Sequence, residues 1–369
     1  IKLEVYMKKK LVNEIFWLRA IACLAVVTIH SIQKGIDYYF TGENTPMVYF
    51  LHLFYAASLF GTPSFVFISE FLLAKAYPSG VPQGFFKKRV KFLITPFIFM
   101  GIVYAFFELG TSITLKSFII EALKNILIGD YVAWFILLIL QFYLLHMFAP
   151  KHLSKISPKV VLPIALAINV LYLSFFEFID PIQAIPFHDY IWDRGYWLLF
   201  IGWIFYFALG YYIGKDFESF KLSLQKNGKL ILVFTVIAYC MVVGLKLTGI
   251  LPDSSSKRPD IPIYTTAIIC LIFYLSGKLN HAPRLIILIS NYSFNIYLLH
   301  MTFLYTIKPL PHMNMITYTL FLLILSVTCS IVLATLINKL TFGKYLVGNT
   351  LSVGKQTKGN MSIANKKAL

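Results

Sequence analysis

The sequence predicts an all-α, polytopic integral membrane protein with about ten transmembrane helices and both termini in the cytoplasm. Three observations carry this prediction. Of 369 residues, 58% are hydrophobic and 13% charged, against roughly 45–50% and about 25% in an ordinary soluble domain; mean hydropathy is +0.74. Apolar runs of about twenty residues, the length that crosses a bilayer as a helix, recur from end to end. The connections between them are charged with a strong bias. Of the 33 Lys and Arg, 24 lie in segments that share a side with the N-terminus and 7 in the alternate segments; 11 of the 16 acidic residues lie in those alternate segments or, as Glu108 and Glu177, at the adjoining span ends. A miscounted span would scramble that bias, so the positive-inside rule supports the count.

The runs are 15–33, 48–74, 92–110, 131–149, 160–178, 195–214, 230–249, 262–277, 285–306 and 317–338. The first follows a basic start, as a signal peptide would, but it is long, holds Arg19 and lacks a small-residue cleavage site, so it reads as an uncleaved span. Met7, followed by Lys8, Lys9 and Lys10, has the form of a natural start, with residues 1–6 as upstream read-through. In the second run, Pro63 is expected to kink the helix and free a carbonyl. The eighth run is short and begins beside Pro262. The segment 111–130 is too polar to span and is expected to lie along the interface as an amphipathic helix. Tyr38, Tyr39, Tyr190, Trp192 and Trp197 fall near the outer ends, where amphipathic rings settle. The series reads as one membrane domain, 15–338, between a basic cytoplasmic N-terminus (1–14) and a basic cytoplasmic tail (339–369).

Charge and cysteine usage exclude other classes. A net charge of +17 suggests nucleic acid only until the charges are located: they sit in short loops, not in a patch on a soluble domain, so no nucleic-acid partner is expected. Cys23, Cys240, Cys270 and Cys329 all lie in apolar runs without metal-ligand spacing and read as small hydrophobes. Gly-rich phosphate loops, Gly-x-Ser-x-Gly elbows and His-Glu-x-x-His helices are absent, so soluble-enzyme templates do not apply.

Polar residues inside the runs then ask for a reason, because a charge at mid-membrane costs about 2.5–3.5 kcal/mol. Arg19 and His30 in "WLRAIACLAVVTIH" are eleven positions apart, a rotation of about 20° from one face and a rise of roughly 16 Å. They point into one cavity, Arg19 nearer the cytoplasm; on the alternative reading Arg19 snorkels and His30 merely ends the helix. Ser69 and Glu70 sit towards the inner end of span two, Trp134, Gln141 and Tyr143 in span four, and Asn291, Ser293, Asn295, Tyr297 and His300 in span nine. Helix–helix hydrogen bonds account for many such residues. His52, His146, His152, His188, His281 and His312 read as structural or interfacial. The loop "FFKKRVKFLITPF" places Lys87, Lys88, Arg89 and Lys91 before the third span, either as a topogenic cluster or as a phosphate-binding patch.

This constellation resembles the acyltransferase 3 family of integral membrane acyltransferases. The Arg19/His30 pair matches the family's first-span signature. "FGTPSFVFISEFLL" is similar to its second-span segment, "AWFILLILQFYLL" to its fourth and "ISNYSFNIYLLH" to its late histidine motif. The chain departs at two places. Where the family reads Ser-Gly-Phe it has Ser69-Glu70-Phe71, and where many members carry Arg-x-x-Arg it has Lys88-Arg89-Val90-Lys91, which keeps the charge spacing but loses the paired guanidinium forks.

The resemblance implies a multi-pass protein of a bacterial plasma membrane that moves an acetyl or succinyl group from cytoplasmic acyl-CoA to a hydroxyl of a cell-surface glycan. It implies His30 as general base, Arg19 as a group that stabilises the thioester carbonyl or orients the donor, and Lys88, Arg89 and Lys91 near the donor phosphates. Ser69, Glu70, Trp134, Gln141, Tyr143, Ser293, Tyr297 and His300 would line the substrate cavity. Acetyl-CoA or succinyl-CoA would serve as co-substrate, with no permanently bound cofactor or metal. The partners would be the lipid bilayer, the glycan acceptor and a polysaccharide synthase. A second function consistent with the resemblance is export of a polysaccharide such as poly-N-acetylglucosamine without chemistry.

Overall fold

The structure, a computed structural model, describes residues 13–42, 45–78 and 80–351, and of Lys88 the backbone alone. Met7, Lys8, Lys9, Lys10 and the tail from 352 onward lie outside the described residues. The described chain forms helices α1 (Asn13–Tyr39), α2 (Pro46–Ser58), α3 (Gly61–Ala76), α4 (Phe85–Leu109), α5 (Leu115–Leu127), α6 (Phe135–Leu153), α7 (Pro158–Phe178), α8 (Ile204–Lys215), α9 (Phe217–Lys226), α10 (Gly228–Leu247), α11 (Ile261–Ser276), α12 (Arg284–Thr306) and α13 (Met315–Ile337).

Eight helical stretches among the described residues are long and apolar enough to cross a membrane, and a ninth when the bent pair His188–Leu198 and Phe200–Lys215 is taken as one span. The run expected at 262–277 is α11, at 16 residues too short for that criterion. Ile261, Ala267 and Ile269 in it have no exposed surface, and it packs against α1, α3 and α10. A helix walled in by protein need not match the hydrocarbon thickness.

The first span is the hub. α1 packs against α2, α3, α11, α12 and α13. Of its apolar window 61% is buried and of the α2–α3 window 72%, against 17% for α7 and 22% for α10, so α7 and α10 form the lipid-facing rim. The kink expected at Pro63 takes the form of a break: α2 ends at Ser58 and α3 starts at Gly61. The proline therefore sits in the first turn of α3, where a missing N–H removes no ladder bond. α3 meets α8 more closely than ordinary side chains permit. A Cβ on Gly210 would lie 2.7 Å from the Phe67 carbonyl oxygen, and one on Gly214 2.5 Å from that of Phe71. The Gly-x-x-x-Gly spacing puts both hydrogens on one face and lets the backbones touch.

The sixth expected span, 195–214, is broken at Leu199, whose backbone is extended, and bends there by 44°. Gln141 on α6 supplies the hydrogen bonds lost at the break. Its Nε2 donates to the Leu198 carbonyl at 2.8 Å and its Oε1 accepts from the Phe200 N–H at 3.1 Å.

Two further segments fold onto this bundle. α5 lies against α4 with Leu115, Ile119, Ile120 and Leu123 exposed. Asn125 turns inward and donates to the Gly101 carbonyl at 3.0 Å and to Glu108 at 3.1 Å. Beyond α13, the first part of the region expected to be a tail returns to the bundle. Val347 has no exposed surface, and Asn295 Nδ2 donates to the carbonyls of Val347 and Gly348 at 2.8 and 2.9 Å.

Candidate functional site: a polar axis along the first span

Arg19 and His30 lie on the enclosed side of α1, Arg19 8% exposed and His30 half-buried. Each end of the resulting axis gathers side chains from other helices.

At the Arg19 end, which the charge bias assigns to the cytoplasm, Arg89 from the first turns of α4 and Tyr143 from α6 come close enough to act on Arg19 electrostatically. The Arg89 guanidinium lies 5.2 Å from the Phe85 ring centre and 6.0 Å from that of Tyr143, and those rings meet edge-to-face at 5.8 Å. Neither arginine forms an ion pair or a hydrogen bond among the described residues. Two like charges brought together in a low-dielectric interior repel unless an anion joins them. Of the other cations expected here, Lys91 is exposed and faces the Tyr345 ring at 4.9 Å; the Lys88 side chain lies outside the described residues.

Behind this end stands a buried pair. Glu70 Oε1 and His146 Nδ1 are 2.6 Å apart with exposures of 1% and 0%, and His146 Nε2 faces the Tyr77 carbonyl at 3.1 Å. A carbonyl only accepts, so Nε2 carries a proton, and a second proton is shared between Nδ1 and the carboxyl. The pair ties α3 to α6 and holds the backbone at Tyr77, whose ring meets Phe85 at 5.6 Å. The carboxyl that replaces the expected glycine therefore braces the aromatic box around Arg89.

At the His30 end, His300 of α12 stands with its ring centre 5.4 Å from that of His30. Its Nδ1 lies 2.9 Å from the carbonyls of Ile296 and Tyr297, which assigns the proton to Nδ1 and leaves Nε2 a bare acceptor. That Nε2 is buried without a hydrogen-bond partner. Tyr297 lies 6.5 Å from His300 and donates its hydroxyl proton to the Val132 carbonyl at 2.7 Å, which fixes the entry to α6 beside the histidines.

The remaining expected residues divide. Trp134 stands half-buried at the head of α6, at the outer end of the axis. Gln141 is committed to the break at Leu199. Ser293 faces α1, its carbonyl accepting from Cys23 Sγ at 3.9 Å, and Ser69 is half-buried on α3. Sequence reasoning passed over Lys257, whose charge is felt at His30, and Trp197, which it read only as a belt residue. A signal was present: Lys257 and Arg258 are adjacent cations in an outer loop, against the bias of the whole chain.

Fold and axis together define a multi-pass membrane protein with one charged and one imidazole-bearing end to its interior. The chain belongs to the acyltransferase 3 family, whose pattern, described as an acyltransferase domain, matches residues 12–335. It is 35% identical over 350 residues to YfiQ of Bacillus subtilis (strain 168), provisionally named a membrane-bound acyltransferase, across 91% of this chain and 94% of that protein. It is 27% identical over 298 residues, 79% of this chain and 82% of the relative, to a Staphylococcus aureus (strain MSSA476) protein provisionally named a poly-beta-1,6-N-acetyl-D-glucosamine export protein. A Staphylococcus epidermidis protein of the same name is 27% identical over 305 residues, 79% and 81% of the two chains. No solved structure matches the chain.

Proposed function

We propose that the chain is an O-acyltransferase of a bacterial plasma membrane that carries an acyl group from cytoplasmic acyl-CoA to a hydroxyl of a glycan on the outer side. The observation that carries this reading is the division of the axis: uncompensated guanidinium groups at one end, and at the other two adjacent imidazoles, one with a bare buried nitrogen. Arg89 and Arg19 meet the donor's phosphates, where planar guanidinium forks bind well. The rise of roughly 16 Å along α1 separates Arg19 from His30, so Arg19 orients the donor and the thioester carbonyl lies further along. His30 takes the proton of the acceptor hydroxyl as its oxygen attacks that carbonyl carbon. The carbon–sulfur bond then breaks, and the leaving thiolate recovers the proton from His30, giving free CoA and an ester. The acyl group is acetyl or succinyl, and a polysaccharide synthase would supply the acceptor.

The test is incubation of protein in lipid nanodiscs with radiolabelled acetyl-CoA or succinyl-CoA and N-acetylglucosamine oligomers, wild type beside His30→Ala. Label in the glycan from wild type alone is the expected result and names the donor. Equal labelling by His30→Ala overturns the mechanism. The names of the staphylococcal relatives favour export as a second reading, for which deletion cells would retain polymer inside with unchanged acyl content.

A further inference from the structure

Trp134, Trp197 and Lys257 meet at the outer end of the axis from three separate parts of the chain. The two indoles stand edge-to-face with centres 4.3 Å apart. The Lys257 ammonium lies 4.1 Å from the Trp197 ring centre and 5.7 Å from that of Trp134, with no carboxylate partner among the described residues. Trp203 packs behind Trp134 at 5.8 Å.

The loop is built to hold the lysine there. Its neighbour Arg258 is 1% exposed and makes a two-pronged pair with Asp260, Nε to Oδ1 at 3.0 Å and Nη2 to Oδ2 at 2.6 Å. The same guanidinium donates to the carbonyls of Asp253 and Val242 at 3.2 and 2.9 Å. Arg258 thus fastens the loop to α10 and leaves Lys257 aimed across the indoles. Burial, assisted by the charge of Arg194 and opposed by Asp193, pushes the Lys257 ammonium down to about 8, so the fold bears a cost to keep it in place.

The indole N–H groups of Trp197 and Trp203 are already spent on backbone carbonyls at 2.8 Å. That of Trp134 has no partner among the described residues, and this ring is half-buried rather than enclosed. From Trp134 a run of rings leads inward through Phe135, Tyr297 and His300 to His30, each 5.4–6.5 Å from the next. A half-buried indole flanked by one ammonium and carrying a free N–H suits a pyranose, which offers an apolar C–H face to the ring and hydroxyls to the donors.

We infer that Trp134, Trp197 and Lys257 form a saccharide subsite: one sugar ring lies against the Trp134 indole with hydroxyls on the Lys257 ammonium, so that the glycan is held beside His30. The assignment rests on the acyl-transfer reading for its purpose, and on the geometry alone for its ligand. The test measures binding of β-1,6-linked N-acetylglucosamine oligomers to the full chain in nanodiscs by tryptophan fluorescence, with acyl-CoA binding as the control for folding. Lys257→Gln and Trp134→Ala are each expected to weaken oligomer binding at least about tenfold, with Trp134→Phe intermediate and acyl-CoA affinity unmoved. Where transfer is measurable, the glycan KM should rise more than kcat falls. Unchanged oligomer affinity in both variants, while wild type still acylates the glycan, overturns the subsite and leaves the acyltransferase standing. Oligomer binding that needs Lys257 in a protein that transfers no acyl group does the reverse. Lys257-dependent binding of inorganic phosphate in place of the oligomer overturns the subsite in favour of an anion site.

Discussion

The two ends of α1 hold their cations in opposite ways. At the Arg19 end two guanidinium groups approach each other without a carboxylate, boxed by Phe85 and Tyr143. At the outer loop Arg258, buried still more deeply, has its carboxylate and two carbonyls. Arg19 and Arg258 both sit where charge is expensive, and of the two only Arg258 is satisfied by its own protein. The satisfied one is a fastening; the unsatisfied Arg19–Arg89 pair is where the proposed donor phosphates would bind. The comparison teaches that a buried charge becomes informative only when its partners are counted.

The sharpest way to break this contrast is at the imidazoles. His30→Ala should reduce acyl transfer by about 10²–10⁴-fold, the range of a lost general base, while acyl-CoA affinity is retained; loss of donor binding instead would place His30 in the donor site. Next in size is the donor end. Arg89→Gln should weaken acyl-CoA binding by roughly tenfold to a hundredfold, and Lys91→Gln by less than about twofold, because Lys91 faces Tyr345; titration calorimetry in detergent separates the two, and equal effects would erase the distinction.

A smaller change is expected at the bend. Gln141→Ala strands the Leu198 carbonyl and the Phe200 N–H and should cost about 1–3 kcal/mol of stability, read as a lower unfolding midpoint with unaltered donor affinity. The smallest effect is a pH dependence. Lys257 is charged below about 8 and loses its proton as pH rises through that value, so oligomer affinity should fall by a few-fold between pH 7 and pH 9. Lys257→Arg should hold its affinity over this range, and a parallel fall in that variant would assign the dependence to another group.

What was legible in the sequence follows the range of the forces involved. The helical spans and the common face of Arg19 and His30 depend on local spacing, and they were readable. Trp134, Tyr297 and His300 could be placed on helices but not brought together, because their meeting depends on how α6 and α12 pack. The break at Leu199 left no proline or glycine at the site; it is made affordable by Gln141, 58 positions upstream. Glu70 could be placed at the inner end of its span, but its pairing with His146 depends on how α3 and α6 pack. Lys257 was hidden for a different reason: nothing local says that a loop lysine faces inward, and the fastening by Arg258 decides it.

The backbone contact between α3 and α8 has a consequence for any polymer that crosses this protein. With Gly210 and Gly214 set against the carbonyls of Phe67 and Phe71, the two helices share a zipped seam in which the nearest side-chain atoms are the Cβ atoms of Glu70 and Ala74, which cannot swing aside. A sugar chain cannot be threaded through such a seam without first peeling two backbones apart. A conduit would therefore have to open along other joints of the bundle, and the α3–α8 pair would travel as a single plank while it did so.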